Sequence, residues 1–230
     1  MDTANHRNRL PVSRVTRTKS QARSTYNRLS RWYDLLAGGF EGKFRDTGLG
    51  RLAPGPGEIV LEVGFGTGHS IVAMAERVGE SGKVCGIDLA EGMIEVTHSR
   101  VVRAGLTGRV LLVQGDAVRL PYATGLFDGV LMTFTLELFD TPEIPLVLAE
   151  CRRTLRQGGR IVVVALSQRG GPNVMTRLYE WAHEKLPQYV DCRPIPVQES
   201  LQDVGFHILR VDGCSLFGLC VELVLAEKSS

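Results

Sequence analysis

Five stretches of the chain are apolar and β-branched over strand length: IVLEVG (Ile59 to Gly64), KVCGID (Lys83 to Asp88), RVLLVQGD (Arg109 to Asp116), FDGVLMTFT (Phe127 to Thr135) and GRIVVVAL (Gly159 to Leu166). Between them apolar positions recur at helical spacing, which predicts helices over Ser70 to Val78, Gly92 to Ala104 and Glu143 to Leu155. Runs without polar alternation belong to strands buried on both faces, so this alternation predicts a parallel sheet with helices on both sides. The carboxyl end breaks the rhythm. His207 to Asp212 and Cys220 to Glu227 read as two strands joined by a short, glycine-containing connection, an antiparallel hairpin at the end of the sheet.

Ahead of the first strand, Tyr26, Leu29, Trp32, Tyr33 and Leu36 fall on one helical face, and Gly38 with Gly39 reads as the stop of that helix. A shorter helix is predicted around Glu41 to Leu52, closed by APGPGE. The organisation expected is a tail over 1–20, a helical segment over 21–57 and a core domain over 58–230 that contains an insertion at 170–196.

Length and composition narrow this picture. A chain of 230 residues that is 43% hydrophobic can bury one substantial core. Its apolar runs are far shorter than the roughly 20 residues of a membrane span. Five cysteines without a CxxC pair argue against a disulfide framework or a zinc knuckle, so a cytoplasmic location and no metal are expected. The charge is uneven. Residues 1–31 hold eight basic side chains against Asp2 alone, a net +7 in a chain of net +2, which leaves −5 for the remainder. A disordered, solvated tail is expected, with peripheral contact to an anionic membrane as its interaction and no specific nucleic acid partner.

The candidate chemistry begins at LEVGFGTGHS. Gly64, Gly66 and Gly68 follow a buried strand and precede a helix, so bare backbone can approach a ligand closely. The spacing is GxGxG, whereas a dinucleotide loop reads GxGxxG. Glu62 at the strand end suits a cationic ligand better than a diphosphate, which favours S-adenosylmethionine over NAD. Asp88 ends the second strand, 20 residues beyond Gly68, where an acid can accept from both ribose hydroxyls; the alternative is a cap on the following helix. Asp116 after the third strand can meet an adenine amino group, with the Ala117 N–H as a complementary donor; the alternative is a turn aspartate.

LEVGFGTG, GIDLAEGMIEVTHSR, QGDAVRLPYATGLFDGV and ECRRTLRQGGRIVVV resemble, in order and spacing, the successive motifs of class I S-adenosylmethionine-dependent methyltransferases. Within them, YNRLSRWYDLL and LPYATGLFD look most like the UbiE-type enzymes of ubiquinone and menaquinone biosynthesis. The resemblance implies a Rossmann-like α/β fold with a mostly parallel seven-stranded sheet. It implies S-adenosylmethionine contacts from Glu62, Gly64, Phe65, Gly66, Gly68, Asp88, Leu89, Asp116, Ala117 and Thr133. It also implies that the amino-terminal helix, with Tyr26 and Tyr33, closes over the donor. Where quinone C-methyltransferases show a GLRN-like segment, this chain has TFTLELFD (Thr133 to Asp140), which leaves Glu137 and Asp140 near the expected acceptor side.

Two catalytic candidates follow, Glu137 and His183, the latter because an unperturbed imidazole titrates near neutrality. Tyr179, Tyr189 and Arg193 in the insertion are candidate acceptor-lid residues. The expected acceptor is a small lipophilic molecule, a quinone-like ring or a phospholipid amine. The rival readings are an NAD(P)-dependent oxidoreductase and a non-catalytic S-adenosylmethionine-binding protein.

Overall fold

The computed structural model describes residues 14–15, 18–30, 38–170, 192–216 and 218–229. Two helices precede the sheet, α1 (Lys19–Leu29) and α2 (Gly38–Leu52). They are followed by β1 (Ile59–Val63), α3 (His69–Val78), β2 (Lys83–Asp88), α4 (Glu91–Arg103), β3 (Val110–Gln114) and β4 (Phe127–Thr133). A 3-10 turn at Leu136–Leu138 leads to α5 (Ile144–Thr154), β5 (Leu155–Leu166), α6 (Val197–Asp203), β6 (Phe206–Leu216) and β7 (Leu219–Lys228). The strands form one seven-stranded sheet in the order β3-β2-β1-β4-β5-β7-β6. It is parallel from β3 to β5, and β7 runs antiparallel between β5 and β6. This is the Rossmann-like architecture expected, including the terminal hairpin.

The unbroken apolar runs have a direct structural cause. Along β5, Ile161, Val163 and Ala165 enter one core while Val162, Val164 and Leu166 enter the other, so neither face tolerates a polar residue. The first core is covered by α5 and α6 through Val147, Leu148, Cys151, Val197 and Leu201. The second is covered by α2, α3 and α4 through Leu49, Leu52, Ile71, Met74, Met93 and Val101. Gly48 lets α2 lie directly on β5, since a Cβ there would stand 2.8 Å from Val164 Cγ2.

The amino-terminal region departs from the sequence expectation. The first helix begins at Lys19, because Thr18 and Gln21 form a reciprocal capping box: Gln21 N donates to Thr18 Oγ1 at 3.3 Å, and Thr18 N donates to Gln21 Oε1 at 2.9 Å. It ends at Leu29 rather than near Leu36, and Gly38 and Gly39 open α2 instead of stopping α1. The expectation of a disordered tail through residue 20 fails at its carboxyl end, where residues 14, 15 and 18–20 make defined contacts. Tyr33, Tyr179, His183 and Tyr189 lie outside the described residues, as do most of the 170–196 insertion and the first 13 residues of the tail. Helix α6, just after that insertion, was not anticipated from the pattern.

Leu131 on the central strand β4 is fully buried between β1 and β5. Leu131→Ala should lower unfolding free energy by about 2–5 kcal/mol, the usual cost of a buried leucine truncation. A urea titration reads this as a lower midpoint at unchanged slope, and an unshifted midpoint would deny Leu131 its place in the core.

Candidate functional site

The carboxyl ends of β1, β2, β3 and β4 open onto a cavity of about 210 Å³. Glu62, Gly64, Phe65, Gly66, Gly68, Asp88, Leu89, Asp116, Ala117 and Thr133 all line it, and Tyr26 of α1 contributes to its wall. The topology explains the convergence: parallel strands deliver their carboxyl-terminal loops to one edge of the sheet.

The glycine-rich turn between β1 and α3 is held from three directions. Gly66 N donates to Asp88 Oδ2 at 3.1 Å, Thr97 Oγ1 of α4 donates to Gly66 O at 3.0 Å, and Arg100 Nε donates to Thr67 O at 2.9 Å. At Gly68, with φ of 80°, a Cβ would lie 2.3 Å from the Thr97 side chain, so the buried threonine that anchors the loop also excludes any larger residue. Gly66 has φ of 53°, and nothing stands within 4 Å of where its Cβ would be. Its demand for glycine is therefore conformational on the protein side, and the open space faces the cavity.

Asp88 fulfils the capping role and still faces the cavity. Its Oδ1 accepts from Ala90 N at 2.9 Å at the start of α4. Burial pushes its pKa up to about 6, against the lowering effect of the Ala90 and Gly66 amides. Asp116 accepts from Val118 N at 3.1 Å through Oδ1, which is the turn reading, while Oδ2 receives Lys19 Nζ at 2.5 Å.

Glu62 is the most unusual group in the cavity. Its carboxyl is buried, and burial pushes its pKa up to about 8, with Ser70 and Arg45 acting in the opposite direction. No described residue bonds to Oε2. A buried carboxyl with an unsatisfied oxygen in a cavity wall is an acceptor for a cationic or hydrogen-bond-donating group.

Several cavity residues were missed by the sequence reading. Val15 and Lys19 line the wall although they sit in the segment expected to be tail. Lys19 Nζ bridges Asp116 and Glu143, each at 2.5 Å. Arg14 binds Asp140 with two nitrogens, Nε to Oδ1 at 2.8 Å and Nη2 to Oδ2 at 2.6 Å, and Val15 N adds a bond to the same carboxylate. Arg14 in turn holds the Asp140 carboxyl down to about 2. Arg45, Phe134, Leu138 and Phe139 complete the wall. Phe134 sits at φ of 49° and packs edge-on against Phe44 with ring centroids 5.8 Å apart. The signal for Lys19 was the T-K-S-Q start of a capped helix. The signal for Arg45 was slight, because the glycines of α2 obscure its faces.

Two candidates change role. Glu137 does not line the cavity; it is fully buried, and its Oε1 accepts from Leu166 N at 3.1 Å, joining the turn after β4 to the end of β5. Arg193, a candidate acceptor-lid residue, sits in the core of the described structure. It is 1% exposed, donates to Phe139 O at 2.5 Å and Thr141 Oγ1 at 3.3 Å, and so supports the loop that carries Asp140 from behind. Burial lowers its pKa, with Asp140 and Glu137 partly compensating.

Residues 60–159 match the family model described as a methyltransferase domain. The chain is 31% identical to the ubiquinone/menaquinone biosynthesis C-methyltransferase UbiE of Cereibacter sphaeroides, over 80% of each chain. It is 36% identical to nocamycin O-methyltransferase of Saccharothrix syringae over 68% of this chain and 53% of that one. It is also 36% identical to a demethylmenaquinone methyltransferase of Symbiobacterium thermophilum, over 49% of this chain and 44% of that one. The match thus spans about half the length of the last two relatives. Among solved structures, the [4+2]-cyclase SpnF has the same fold with a TM-score of 0.74 at 19% identity, covering 96% of this chain and 99% of that one. Geranyl diphosphate methyltransferase in complex with SAM has a TM-score of 0.64 at 20% identity, covering 81% and 84%.

The Glu62 geometry generates a signed pH dependence. Its folded pKa near 8 exceeds the ordinary 4.5, so the folded state holds a proton that the unfolded state releases, and this contribution to stability is lost as pH rises from about 4.5 through 8. A cationic ligand reverses the preference. Affinity for S-adenosylmethionine should therefore climb with pH to about 8 and then level, with proton release in calorimetry below that point. Glu62→Gln should leave only the lower step near 6 that belongs to Asp88. A profile flat between pH 6 and 8 in the unaltered protein would refute this arrangement.

Lys19 generates a second expectation, because it occupies the Asp116 oxygen assigned to the ligand. Lys19→Met should raise the association rate of S-adenosylhomocysteine by roughly 2- to 10-fold at low salt, the scale of partly exposed ion pairs. The gain should shrink in high salt. Equal rates in the two proteins at low salt would mean that Lys19 does not obstruct entry.

Proposed function

Because the chain belongs to the class I S-adenosylmethionine-dependent methyltransferases, we propose that it transfers a methyl group from S-adenosylmethionine to a small, lipophilic acceptor. The acceptor classes assigned are a quinone-like ring and a phospholipid amine. The observation that carries this reading is that a buried, unsatisfied carboxyl, a glycine loop and two further strand-end carboxylates meet in one cavity.

The residues present fit the donor. Glu62 would meet its cationic end, Gly66 would leave room for it against the backbone, Asp88 would accept from the ribose hydroxyls, and Asp116 with Ala117 N–H would meet the adenine edge. When bound, the donor would supply an electrophilic methyl group on a sulfonium, whose sulfur is the leaving group when a nucleophilic acceptor atom takes the methyl in line. The protein's own work is alignment and exclusion of water. Phe134, Leu138 and Phe139 supply an apolar wall beside Thr133, which supports a lipophilic acceptor. Tyr26 and Lys19 of α1, with Val15, also line the cavity, which supports a covering role for the amino-terminal segment. With Glu137 sealed in the core, deprotonation of the acceptor falls to another group or to water. That its relatives include a C-methyltransferase of ubiquinone/menaquinone biosynthesis and a nocamycin O-methyltransferase supports carbon and oxygen acceptors. We place the protein in the cytoplasm, with the basic stretch before α1 meeting anionic lipid.

Two measurements test the reading. Methyl-labelled S-adenosylmethionine offered with hydroquinones, phenols and phosphatidylethanolamine vesicles should yield a labelled acceptor by mass spectrometry. Binding without transfer to any acceptor would favour a non-catalytic binder, and selective NADH binding would favour the oxidoreductase reading. Asp88→Ala should weaken S-adenosylmethionine binding by roughly 30- to 1000-fold, the loss of two charge-assisted hydrogen bonds together with the Gly66 tether. Unchanged affinity in a folded variant would remove Asp88 from the site.

A further inference from the structure

Helix α1 is held at its two ends by contacts of different kinds. At the carboxyl end they are neutral. Asn27 Oδ1 accepts from Gly92 N at 2.9 Å, which supplies the side-chain cap that Ala90, the residue before α4, does not provide. A Cβ on Gly92 would stand 2.8 Å from Ser30 Oγ and 3.2 Å from Asn27 Cα, so glycine lets the two helices touch, and Ser30 is buried. At the amino end the contacts are ionic. Lys19 Nζ meets Asp116 and Glu143, and just ahead of the helix Arg14 meets Asp140. With Arg14 67% and Lys19 39% exposed, each of these pairs is weak and open to exchange.

Lys19, Ala22 and Tyr26 of this helix line the cavity. Arg23 and Arg28 do not; they are exposed and bond to no described residue. The helix contains no acidic side chain, and residues 1–31 as a whole carry a net +7. The carboxylates that balance Lys19 and Arg14 therefore come from the sheet domain, and the charge on Arg23 and Arg28 is left to solvent.

Resting on the donor and lipophilic-acceptor readings above, we propose that α1 is an electrostatic switch worked by an anionic phospholipid surface. The surface docks on Arg23 and Arg28, draws Arg14 and Lys19 away from Asp140, Asp116 and Glu143, and lets the helix swing on the Asn27–Gly92 contact to open the cavity. Lys19 lies one helical turn from Arg23, about 6 Å along the axis and inside the roughly 8 Å screening length of physiological salt. A surface engaged by Arg23 therefore acts on Lys19 as well. Its attraction for one basic side chain is comparable in strength to an exposed ion pair, so the exchange is close to balanced. The Asn27 contact carries no net charge and survives it. A lipophilic acceptor dissolves in the same bilayer, so the cavity opens where its acceptor is found.

The test follows association of S-adenosylhomocysteine with the full chain by stopped flow at low salt, with and without vesicles. Phosphatidylglycerol vesicles should raise the rate about 2- to 10-fold, and phosphatidylcholine vesicles should leave it unchanged. High salt should remove the difference. Lys19→Met, with its ion pairs already broken, should bind fast without lipid and gain less than about 2-fold from it. Arg23→Gln combined with Arg28→Gln should keep the unassisted rate and lose the lipid response, which separates docking from latching. Absence of acceleration by phosphatidylglycerol would overturn the switch, as would a full lipid response in Lys19→Met. Equal acceleration by phosphatidylcholine, or by polyuridylate at matched charge, would overturn its assignment to an anionic bilayer. Binding of S-adenosylhomocysteine without any lipid response would overturn the switch alone, whereas no binding at all would bring down the donor reading and the switch with it.

Discussion

The backbone from Gly64 to Gly68 has to leave a buried parallel strand, turn within five residues and start a helix, and the hydrogen bond from Gly66 N to Asp88 couples that turn to the neighbouring strand. Everything at the cavity depends on this coupling. Asp88 is itself held by the start of α4, and α4 returns two side chains, Thr97 and Arg100, to the carbonyls of Gly66 and Thr67. The loop is thus held by two consecutive elements further along the chain, β2 through Asp88 and α4 through Thr97 and Arg100. A flexible glycine-rich segment becomes a fixed wall because its polar groups are paired on the protein side while the Gly66 Cβ position faces open space.

Charge in the cavity is arranged by environment as much as by residue type. Glu62 and Asp88 are carboxyls with raised pKa values because burial outweighs their partners, whereas Asp140 is held near 2 because Arg14 binds it with two nitrogens. The first two are ready to accept protons or ligand donors, and the third is committed to holding the amino-terminal segment. Lys19 stands between these roles, engaging Asp116 at the cavity wall and Glu143 at the entrance to α5. The basic stretch therefore leads into Val15 and Lys19, which line the cavity, while Arg14 holds Asp140 beside it.

Behind the cavity, Glu137 and Arg193 show how buried charge can serve position. Glu137 takes the Leu166 amide and so ties the turn after β4 to β5. Arg193 takes the carbonyl of Phe139 and the hydroxyl of Thr141, which leaves Asp140 displayed toward Arg14 and Val15. Breaking either would leave a polar group in the core without its partner, a larger penalty than the bond's net worth. The loop that presents Phe139 and Asp140 is thereby held from the core side.

Periodicity and local chemistry were enough for the parallel sheet, its terminal hairpin and the carboxyl-edge loops, because a strand buried on both faces writes its environment into consecutive residues such as Ile161 to Ala165. The glycines at 64, 66 and 68 and the acids at 62, 88 and 116 were legible for the same reason: each lies within a few residues of a strand end, and topology alone brings those ends together. What lay beyond reach was any contact spanning distant segments. Nothing local marks Arg193 as a buried support, Glu137 as sealed from the cavity, or Lys19 as the partner of a carboxylate 97 positions away. The boundaries of α1 and α2 also escaped, since a capping box at Thr18 outweighed the aromatic spacing, and the expected glycine stop became the first turn of α2. Sequence determined which residues could serve a site at the sheet's edge; only tertiary packing decided which of them face it, because burial and ion pairing are properties of neighbours that the chain meets after folding.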